Sequence, residues 1–214
     1  MKAMVLTKFR TASEKPLECR DVPEPKVGPE DILIKVGYCG VCHTDLHMAD
    51  GELPDVKLPR IPGHEVIGTV EARGDRARKF KVGARVGAAW LYSSCGTCRF
   101  CESGRENLCE NARFTGYHHD GGYAEYLVVP DKYAYAVPRI FGDAEAAPLM
   151  CGGIVGYRSL KMSGIKPGGK LGLYGFGASA HVAIQIAKHW GCRVYVFTRS
   201  EEHKRLAKKL GASW

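Results

Sequence analysis

Long apolar runs are absent from this sequence of 214 residues. No segment approaches the roughly 18 to 20 apolar residues that a membrane-spanning helix requires. The opening stretch MKAMVLTKFR also lacks the apolar centre of a secretory signal peptide. Internal repeats and low-complexity tracts are missing as well. We therefore expect a globular protein of the cytoplasm that has no membrane partner.

Clustered charge of one sign is also missing, although the chain is basic. The formal net charge is +8, from 31 Lys and Arg against 23 Asp and Glu. The basic residues are scattered, with short runs only at 73–81 and 204–209, and acidic residues interrupt both neighbourhoods. We interpret this excess as solvated surface and expect no nucleic-acid partner; polyanion binding and a phosphate-bearing cofactor are the alternatives.

Disulfide bonds are not needed in a chain of this length, because its hydrophobic core can be large enough to stabilise the fold without covalent cross-links. The nine cysteines are an odd number, and in a cytoplasmic protein clustered cysteines indicate a metal before a disulfide. They stand at positions 19, 39, 42, 95, 98, 101, 109, 151 and 192.

The chain changes character along its length. Up to about residue 135, short apolar runs are bounded by Gly, Pro and Asp, which is typical of β-strands; the best helix signal there follows Cys42. From Asp143, a possible N-cap, two short helical pieces are predicted. After the turn KPGGK, the order strand, helix, strand, helix predicts the opening of a doubly wound α/β sheet, and the last helix begins at a Ser cap. The strands are expected in MKAMVLT, ILIKVGY, VIGTVEA, ARVGAAWL, YAEYLVV, LGLYG and CRVYVFT.

Four cysteines follow the spacing C-x2-C-x2-C-x7-C. Thiolates bind Zn²⁺ tetrahedrally, and four of them leave no open position, so the pattern predicts a structural zinc site. An iron–sulfur cluster is the main alternative, but its common run ends in C-x3-C-P, whereas here the last gap is seven residues and no Pro follows. Four unligated thiols are the remaining alternative. The residues are Cys95, Cys98, Cys101 and Cys109.

A second candidate metal group is spread over more than a hundred residues. YCGVCHTDLH contains Cys42, IPGHEVIGTV contains His64 and APLMCGG contains Cys151. One His and two Cys form the ligand set of a catalytic zinc that keeps a free fourth position. Each residue alone is more often a packed core residue than a ligand, so only their combination supports the hypothesis.

Taken together, these segments resemble the zinc-dependent medium-chain alcohol dehydrogenases. GHEVIGTVEARG matches the family signature G-H-E-x2-G-x5-G, and the cysteine loop lies where the family carries its structural zinc. GRENLCENARFTGY and DGGYAEY resemble the bacterial branch that acts on small alcohols. The resemblance implies a mostly-β, GroES-like zinc-binding catalytic domain over residues 1–150. An incomplete N-terminal part of a Rossmann-type dinucleotide-binding domain would follow over residues 151–214. The signature residues are Gly63, His64, Glu65, Gly68 and Gly74.

The resemblance also implies roles for individual residues. Cys42, His64 and Cys151 would hold a catalytic zinc that makes the alcohol hydroxyl acidic. With the zinc of the cysteine loop, the chain would bind two zinc ions. Thr44 would accept the alcohol proton and His47 would pass it to solvent. A helix N-cap is the alternative role for Thr44, and a plain surface histidine is the alternative for His47.

Three further residues take family roles by the same resemblance. Asp45 would orient the ligand His64. Glu65 would lie behind the metal and approach it as a transient ligand. A buried structural carboxylate is the alternative for both. Trp90 would line a narrow substrate pocket that prefers short alcohols, although an aromatic residue before a loop is more often part of the core.

The segment GFGASA follows a predicted strand and opens a predicted helix, as the dinucleotide fingerprint requires. Its Gly175, Gly177 and Ala180 predict nucleotide binding, with a simple tight turn as the alternative. NAD-binding proteins carry an acid about 20 residues further on, where this chain has Thr198 followed by Arg199 and Ser200. This set favours a 2′-phosphate, so NADP is expected before NAD.

The family's dinucleotide fold has six strands, of which the sequence predicts two, at 171–174 and 193–198, with a third starting near Trp214. The resemblance therefore implies a C-terminally truncated member, whose incomplete sheet could self-associate at its edge. The leading hypothesis is a dehydrogenase that transfers hydride between a small primary alcohol or aldehyde and NADP or NAD. A zinc-binding remnant without dehydrogenase activity and a zinc-dependent hydrolase are the alternatives.

Overall fold

The computed structural model describes all 214 residues and shows two compact units, Met1–Met150 and Cys151–Trp214. The first unit is mostly β and the second alternates helices and strands, so the predicted order of structure along the chain is confirmed. None of the helices combines the length and apolar character that crossing a membrane requires.

The first unit contains nine strands, three short helices and four single turns of 3₁₀ helix. The strands are β1 (Lys2–Leu6), β2 (Leu17–Asp21), β3 (Asp31–Cys39), β4 (Val66–Arg73), β5 (Arg85–Ala88), β6 (Leu91–Ser93), β7 (Arg113–Phe114), β8 (Tyr126–Pro130) and β9 (Ala134–Ala136). The helices are α1 (His43–Ala49), α2 (Arg99–Glu102) and α3 (Asp143–Ala146). The 3₁₀ turns are Ala12–Glu14, Glu106–Leu108, Asp131–Tyr133 and Ala147–Met150.

An antiparallel sheet of five strands, in the order β8-β3-β4-β5-β9, organises the first unit. Its central strands bury consecutive side chains because both faces are covered, as Ile32, Leu33 and Ile34 in β3 and Val66 and Ile67 in β4 show. The pairs β1-β2 and β6-β7 form two smaller antiparallel ribbons. The loops that leave the ends of β3 and β6 carry the two cysteine-containing segments that the sequence singled out.

One predicted helix cap is wrong by one position. The sequence suggested Asp143 as the N-cap, but Gly142 is the N-cap and Asp143 is the first helical residue of α3. The Asp143 carboxylate instead accepts a hydrogen bond from Arg85 Nε at 2.7 Å. The Asp143 carboxylate therefore pairs with Arg85 of β5 and does not cap the helix.

The second unit contains two parallel strands and three helices. They are α4 (Gly152–Met162), β10 (Lys170–Tyr174), α5 (Ala178–His189), β11 (Arg193–Phe197) and α6 (Glu201–Lys209). β10 and β11 pair in parallel, which requires the crossover that α5 supplies. The fully buried Ile184 and Val194 and the buried Phe176 lie in the core between helices and strands. Ser200 caps α6 as predicted, since its Oγ accepts from the His203 amide at 3.3 Å.

β11 has a backbone partner on each side. Lys170 to Tyr174 pair with it along one edge, and on the other side Ser213 N donates to Val194 O at 2.7 Å and Val196 N donates to Trp214 O at 2.8 Å. β10 pairs only with β11, so its outer edge is open, and Tyr174 at its end is 84% exposed.

Candidate functional site

The structure brings together the residues that the sequence assigned to a catalytic metal. The ligand atoms of Cys42, His64, Glu65 and Cys151 all lie within 4.8 Å of one another. Cys151 directly follows Met150, which packs against the core that contains Ile67. Two thiols, one imidazole and one carboxylate at this spacing form a donor set that suits a divalent ion.

Cys42 is positioned by the start of α1, of which it is the N-cap. Its Sγ accepts a hydrogen bond from the Thr44 amide at 3.4 Å, and Thr44 Oγ1 lies 3.5 Å from the same sulfur. The amide of Cys42 donates to Asp45 Oδ2 at 2.9 Å. The first turn of the helix therefore fixes the sulfur and places a hydroxyl beside it.

Asp45 joins the Cys42 segment to the His64 segment. Besides accepting from Cys42 N, the carboxylate accepts from Gly63 N at 3.2 Å, and its Oδ1 lies 3.6 Å from His64 Nδ1. That last distance is too long for a hydrogen bond but close enough for electrostatic attraction. Asp45 is buried, so its oxygens contact these groups with little competition from water.

The imidazole of His64 is buried, and its Nδ1 has no hydrogen-bond partner within bonding distance. Burial works to lower the pKa of His64, but the interactions with Asp45 and Cys42 outweigh it and raise the pKa to about 9. The surroundings of this ring therefore favour positive charge, which a bound cation could supply in place of a proton.

Glu65 is buried beside the same group, and a glycine makes room for it. A Cβ added at Gly40 would lie 2.0 Å from Glu65 Oε2, so any other residue at position 40 would displace the carboxylate. The amide of Gly40 also donates to Glu65 O at 3.0 Å. Sequence reasoning missed Gly40; the only available signal was its place between two cysteines in YCGVC.

His47 lies on the exposed side of α1, with 46% of its side chain accessible. Its Nδ1 is 2.5 Å from Glu52 Oε2, and its ring centroid is 5.7 Å from that of His43. The structure therefore places His47 in contact with solvent, one helical turn after Thr44.

Trp90 meets the edge of His64, with ring centroids 4.9 Å apart and planes at 72°. On its other side Trp90 stacks on Phe114 at 4.9 Å and on Tyr117 at 5.7 Å. The Tyr117 hydroxyl is itself held by Pro54 O. Sequence analysis named Trp90 but missed the two rings behind it, which hold its indole against the metal group.

Gly63 precedes His64 with a φ of +96°, a conformation that disfavours residues with a Cβ. An added Cβ would lie 2.7 Å from Tyr123 Cδ1 and 2.8 Å from Cys39 Sγ. We expect Gly63→Ala to lower the free energy of unfolding by about 2–5 kcal/mol, since overpacking adds to the backbone cost. Urea unfolding of the purified protein measures this change.

Gly83→Ala is the matched control for that substitution. Gly83 also has a positive φ, +84°, but nothing lies within 4 Å of its added Cβ. We expect it to cost about 1 kcal/mol, which is the backbone term alone. Equal losses in the two variants would show that the space around Gly63 is not restrictive.

The second candidate metal group lies in the loop between β6 and β7. The four sulfurs lie within 4.8 Å of one another, with separations of 3.5 Å for Cys98–Cys101, 3.5 Å for Cys95–Cys109 and 3.9 Å for Cys95–Cys101. Four thiolates at 2.3 Å from a tetrahedral zinc are about 3.8 Å apart. The sulfur separations thus match those of a closed four-thiolate site.

The surroundings of this loop lower the pKa of two of its thiols and raise that of a third, Cys109, to about 11. The backbone amide of Thr97 and the thiol of Cys109 lower the pKa of Cys95 to about 6. A hydrogen bond with Ser94 lowers the pKa of Cys101. Ser94 is anchored in turn by the buried Tyr133, whose hydroxyl is 2.8 Å from Ser94 Oγ. The Ser94–Tyr133 contact therefore ties the loop to the segment that precedes β9.

The predicted nucleotide segment forms the turn between β10 and α5. Gly177 is the N-cap of α5, and Ala180 lies half-buried in its first turn. Gly175 has a φ of +88°, and a Cβ added at Gly175 or Gly177 would meet no atom within 4 Å. The backbone amides at this helix start therefore face open space that a ligand can approach closely.

A cavity of about 410 Å³ lies beside this turn at the end of β11. It brings Gly175 together with the three residues that the sequence proposed for the 2′ position of the ribose. His203, in the first turn of α6, lines it as well and was missed, although it stands three residues after the Ser cap. The lining residues are Gly175, Phe197, Thr198, Arg199, Ser200 and His203.

Residues 28–139 match the family described as alcohol dehydrogenase GroES-like domain, which is more than half of the chain. This chain belongs to that family. The resemblance inferred from the signature and the cysteine loop is thus confirmed, as is the predicted fold of a mostly-β GroES-like part followed by a partial α/β part.

Relatives and solved structures extend the likeness along the chain. An alcohol dehydrogenase of Geobacillus stearothermophilus is 46% identical over 213 residues, which is 99% of this chain and 62% of that protein. The chain thus spans about three fifths of the length of this curated relative. A structure titled CAD from Helicobacter pylori complexed with NADP(H) has a TM-score of 0.90 at 33% identity, over 99% of this chain and 62% of that one.

A metal-containing structure is similar to the chain as well. The thermostable alcohol dehydrogenase of Pyrobaculum aerophilum, with cobalt and zinc bound, has a TM-score of 0.89 at 31% identity. The match covers 99% of this chain and 64% of that protein. The fold that carries both cysteine-containing groups is therefore shared with a metal-binding alcohol dehydrogenase.

Proposed function

We propose that the protein is a zinc-dependent alcohol dehydrogenase that interconverts small primary alcohols and aldehydes with NADP, or less favourably NAD. The observation that carries the proposal is the group formed by Cys42, His64 and Cys151, with the Thr44 hydroxyl 3.5 Å from one of its sulfurs. This arrangement combines a ligand set for an ion with an adjacent group that can handle a proton.

Cys42, His64 and Cys151 would hold a catalytic zinc, because two thiolates and one imidazole leave a fourth position for substrate. Bound zinc supplies Lewis-acid chemistry that makes an alcohol hydroxyl more acidic. Asp45 positions the two ligand segments through Cys42 N and Gly63 N and attracts positive charge to His64. Glu65 lies within ligand distance of the same group, which supports its proposed role as a transient ligand.

A proton leaves the alcohol through the chain's own side chains. Thr44 Oγ1, the hydroxyl next to the Cys42 sulfur, would accept it and at the same time release its own hydroxyl proton toward His47. His47 would pass the proton on to water, because its ring is exposed and its Nδ1 already contacts Glu52. Both groups lie on α1, so the route follows one helix from the metal group to the surface.

Trp90 would form one wall of the substrate pocket. Its indole meets His64 edge-on, and the stack with Phe114 and Tyr117 prevents it from moving aside. A fixed aromatic wall next to a ligand of the metal limits the size of the group attached to the reacting carbon. Short alcohols and aldehydes are therefore the proposed substrates.

The four-cysteine loop would hold the second, structural zinc. Its sulfur separations of 3.5–3.9 Å fit four thiolates around one tetrahedral ion, and no position remains for substrate. Iron–sulfur binding is disfavoured by the spacing of the cysteines in the sequence.

The nucleotide would bind at the Gly175–Gly177 turn, where the start of α5 presents amides and a positive dipole to a phosphate. Thr198, Arg199 and Ser200 line the adjoining cavity, and no carboxylate of the kind that binds a ribose 2′-hydroxyl lines it. Arg199 can pair with a 2′-phosphate, which supports NADP over NAD.

Two further proposals concern location and assembly. Thiol-rich metal groups suit a reducing compartment, which supports the cytoplasm. The open edge of β10 and the exposed Tyr174 support self-association through the small sheet.

The experiment that tests this function uses the purified chain with its metal content measured. We expect two zinc ions per chain and NADPH oxidation that depends on a short aldehyde, at higher kcat/KM than with NADH. Because the metal supplies the acidity, a zinc chelator should abolish turnover and added Zn²⁺ should restore it.

Two results would contradict the proposal. Protein that carries two zinc ions but never oxidises NADPH with any short aldehyde would instead support a zinc-binding protein without dehydrogenase activity. Zinc-dependent cleavage of an activated ester in the absence of nicotinamide would support the hydrolase.

A further inference from the structure

A separate cavity of about 420 Å³ in the first unit contains none of the metal-group residues. Five of its seven lining residues carry basic side chains, and only one is acidic. The lining residues are Asp55, Lys57, Arg60, Arg113, Tyr117, His118 and His119. Neither the sequence motifs nor the proposed dehydrogenase chemistry accounts for this concentration of basic groups.

Arg60 is the most enclosed of the charged groups, with only 14% of its side chain exposed. Its Nη1 donates to Asp120 Oδ1 at 2.8 Å, but its Nε is buried and has no acceptor. Buried donors in folded proteins almost always have a partner. An oxygen-bearing ligand in the cavity would supply an acceptor to this guanidinium.

The electrostatic field at the two histidines is positive. Burial lowers the pKa of His118, and Arg113 and Arg60 lower it further, while Asp55 opposes them. Burial, Arg60, His118 and Arg113 likewise lower the pKa of His119, while Asp120 opposes them. The acidic residues therefore do not neutralise the cavity.

The remaining neighbours of the histidines are aromatic. His118 meets Tyr117 at 4.3 Å between ring centroids and Phe114 at 5.5 Å, and its Nδ1 accepts a hydrogen bond from Phe114 N at 3.1 Å. His119 stacks on Tyr92 at 3.8 Å. These rings fix both imidazoles and add no negative charge.

We propose that this cavity binds a small oxyanion, such as a phosphate or a carboxylate group. Arginines bind such groups with two parallel hydrogen bonds, and Arg60 and Arg113 offer two guanidinium groups to one ligand. Each protonated histidine would add a further charged donor.

Aromatic contacts connect this site to the metal group. Tyr117 lines the cavity, stacks on Trp90 and meets His118, while Trp90 meets His64. The oxyanion could thus be a free ion such as inorganic phosphate, or the carboxylate end of an unbranched hydroxy acid, which would extend the short substrates proposed above. In both cases the arginines and histidines of the cavity would bind negatively charged oxygen atoms.

The test titrates inorganic phosphate into the zinc-loaded full chain by isothermal calorimetry. We expect saturable binding that is weakened about tenfold or more in the Arg60→Gln/Arg113→Gln variant, because two charge-assisted hydrogen bonds are lost. Arg76→Gln, which removes an exposed arginine paired at 3.5 Å with Glu30, should bind like the parent. If the double variant fails to fold, Arg113→Gln alone serves, since Arg113 is exposed.

The dependence on pH gives a second measurement. The pKa values of His118 and His119 lie below the usual 6.5, so these histidines gain positive charge mainly below that pH, and phosphate should bind more tightly at about pH 5 than at about pH 7. The phosphate itself is less charged at the lower pH, which works in the opposite direction. Sulfate, which keeps its charge, is therefore titrated in parallel, and its gain in affinity should vanish in His118→Gln/His119→Gln.

A final comparison identifies the source of the oxyanion. If the site holds the end of a substrate, 6-hydroxyhexanoate should bind more tightly than hexanoate, because its hydroxyl also reaches the metal group. If the site holds a free ion, the two should bind alike. The proposal is overturned if phosphate, sulfate and both carboxylates fail to bind saturably, or if they bind the arginine variant as well as the parent.

Discussion

Replacing Cys98 with serine is expected to remove one of two bound zinc ions and to lower the thermal midpoint by about 6–16 °C. A ligand that binds only the folded state at 100 to 1,000 times its Kd stabilises that state by about 3–4 kcal/mol. In a chain of this size, each kcal/mol shifts the midpoint by about 2–4 °C. Metal analysis and a thermal melt measure the two effects.

The physical reason for this large effect is the closeness of the four sulfurs. Cys98 and Cys101 are 3.5 Å apart, as are Cys95 and Cys109, so the thiolates would repel one another without a cation between them. The pKa is lowered to about 6 at Cys95 but raised to about 11 at Cys109, so the loop alone does not favour four thiolates at neutral pH. Serine is a poor zinc ligand at neutral pH, so the site would lose affinity as well as charge balance.

Cys19→Ser is the matched control. Cys19 is an exposed residue of β2 and belongs to neither cysteine-containing group, so its variant should retain two zinc ions and the parent's midpoint. A Cys98→Ser protein that melts like the parent would refute the structural role. Iron with visible absorption in the parent would show that the loop holds an iron–sulfur cluster.

The parts that sequence reasoning could predict are those coded by local spacing. The gaps of two residues between Cys95, Cys98 and Cys101 are short enough to force one loop around one ion, and the structure brings those sulfurs together. The Ser200 cap and the Gly175 turn also depend on a few adjacent residues. Such features are set by backbone geometry over one or two turns of chain.

Other features could not be predicted, because they depend on residues that meet only in the folded chain. Asp143 looks like a cap in the sequence, but Arg85, 58 positions away, takes its carboxylate. The need for glycine at position 40 arises only because Glu65 occupies the space where a Cβ would lie. No spacing rule links Arg60 to the segment that contains Arg113, so the sequence could not predict the basic cavity that they line.

The assembly of Cys42, His64 and Cys151 lies between these two cases. Their separation in sequence gave no geometric reason to expect them in one place, and only the resemblance to a family suggested it. The structure shows the three within ligand distance, while their roles and those of Thr44, Asp45 and His47 remain predictions.

Replacing Cys42 with serine is expected to reduce aldehyde-dependent NADPH oxidation by roughly a thousandfold or more and to lower the zinc content from two ions to one. Lewis-acid assistance contributes several kcal/mol to such a reaction, and each 1.36 kcal/mol is a factor of ten in rate. Serine is chosen because Cys42 is also the N-cap of α1. Its hydroxyl preserves that cap, so the variant removes the ligand without the loss of about 1 kcal/mol that a missing cap causes.

Cys39→Ala is the matched control, three residues earlier on the same segment. Burial raises the pKa of Cys39 to about 12, so its thiol is neutral, and it is not among the grouped ligands. This variant should keep both zinc ions and the parent's kcat. The two variants are compared by kcat rather than by stability, because both substitutions disturb the same stretch of chain between the end of β3 and the start of α1. If Cys42→Ser oxidised NADPH as fast as the parent, the group of Cys42, His64 and Cys151 would not carry the reaction. That conclusion would hold even if the four-cysteine loop kept its zinc.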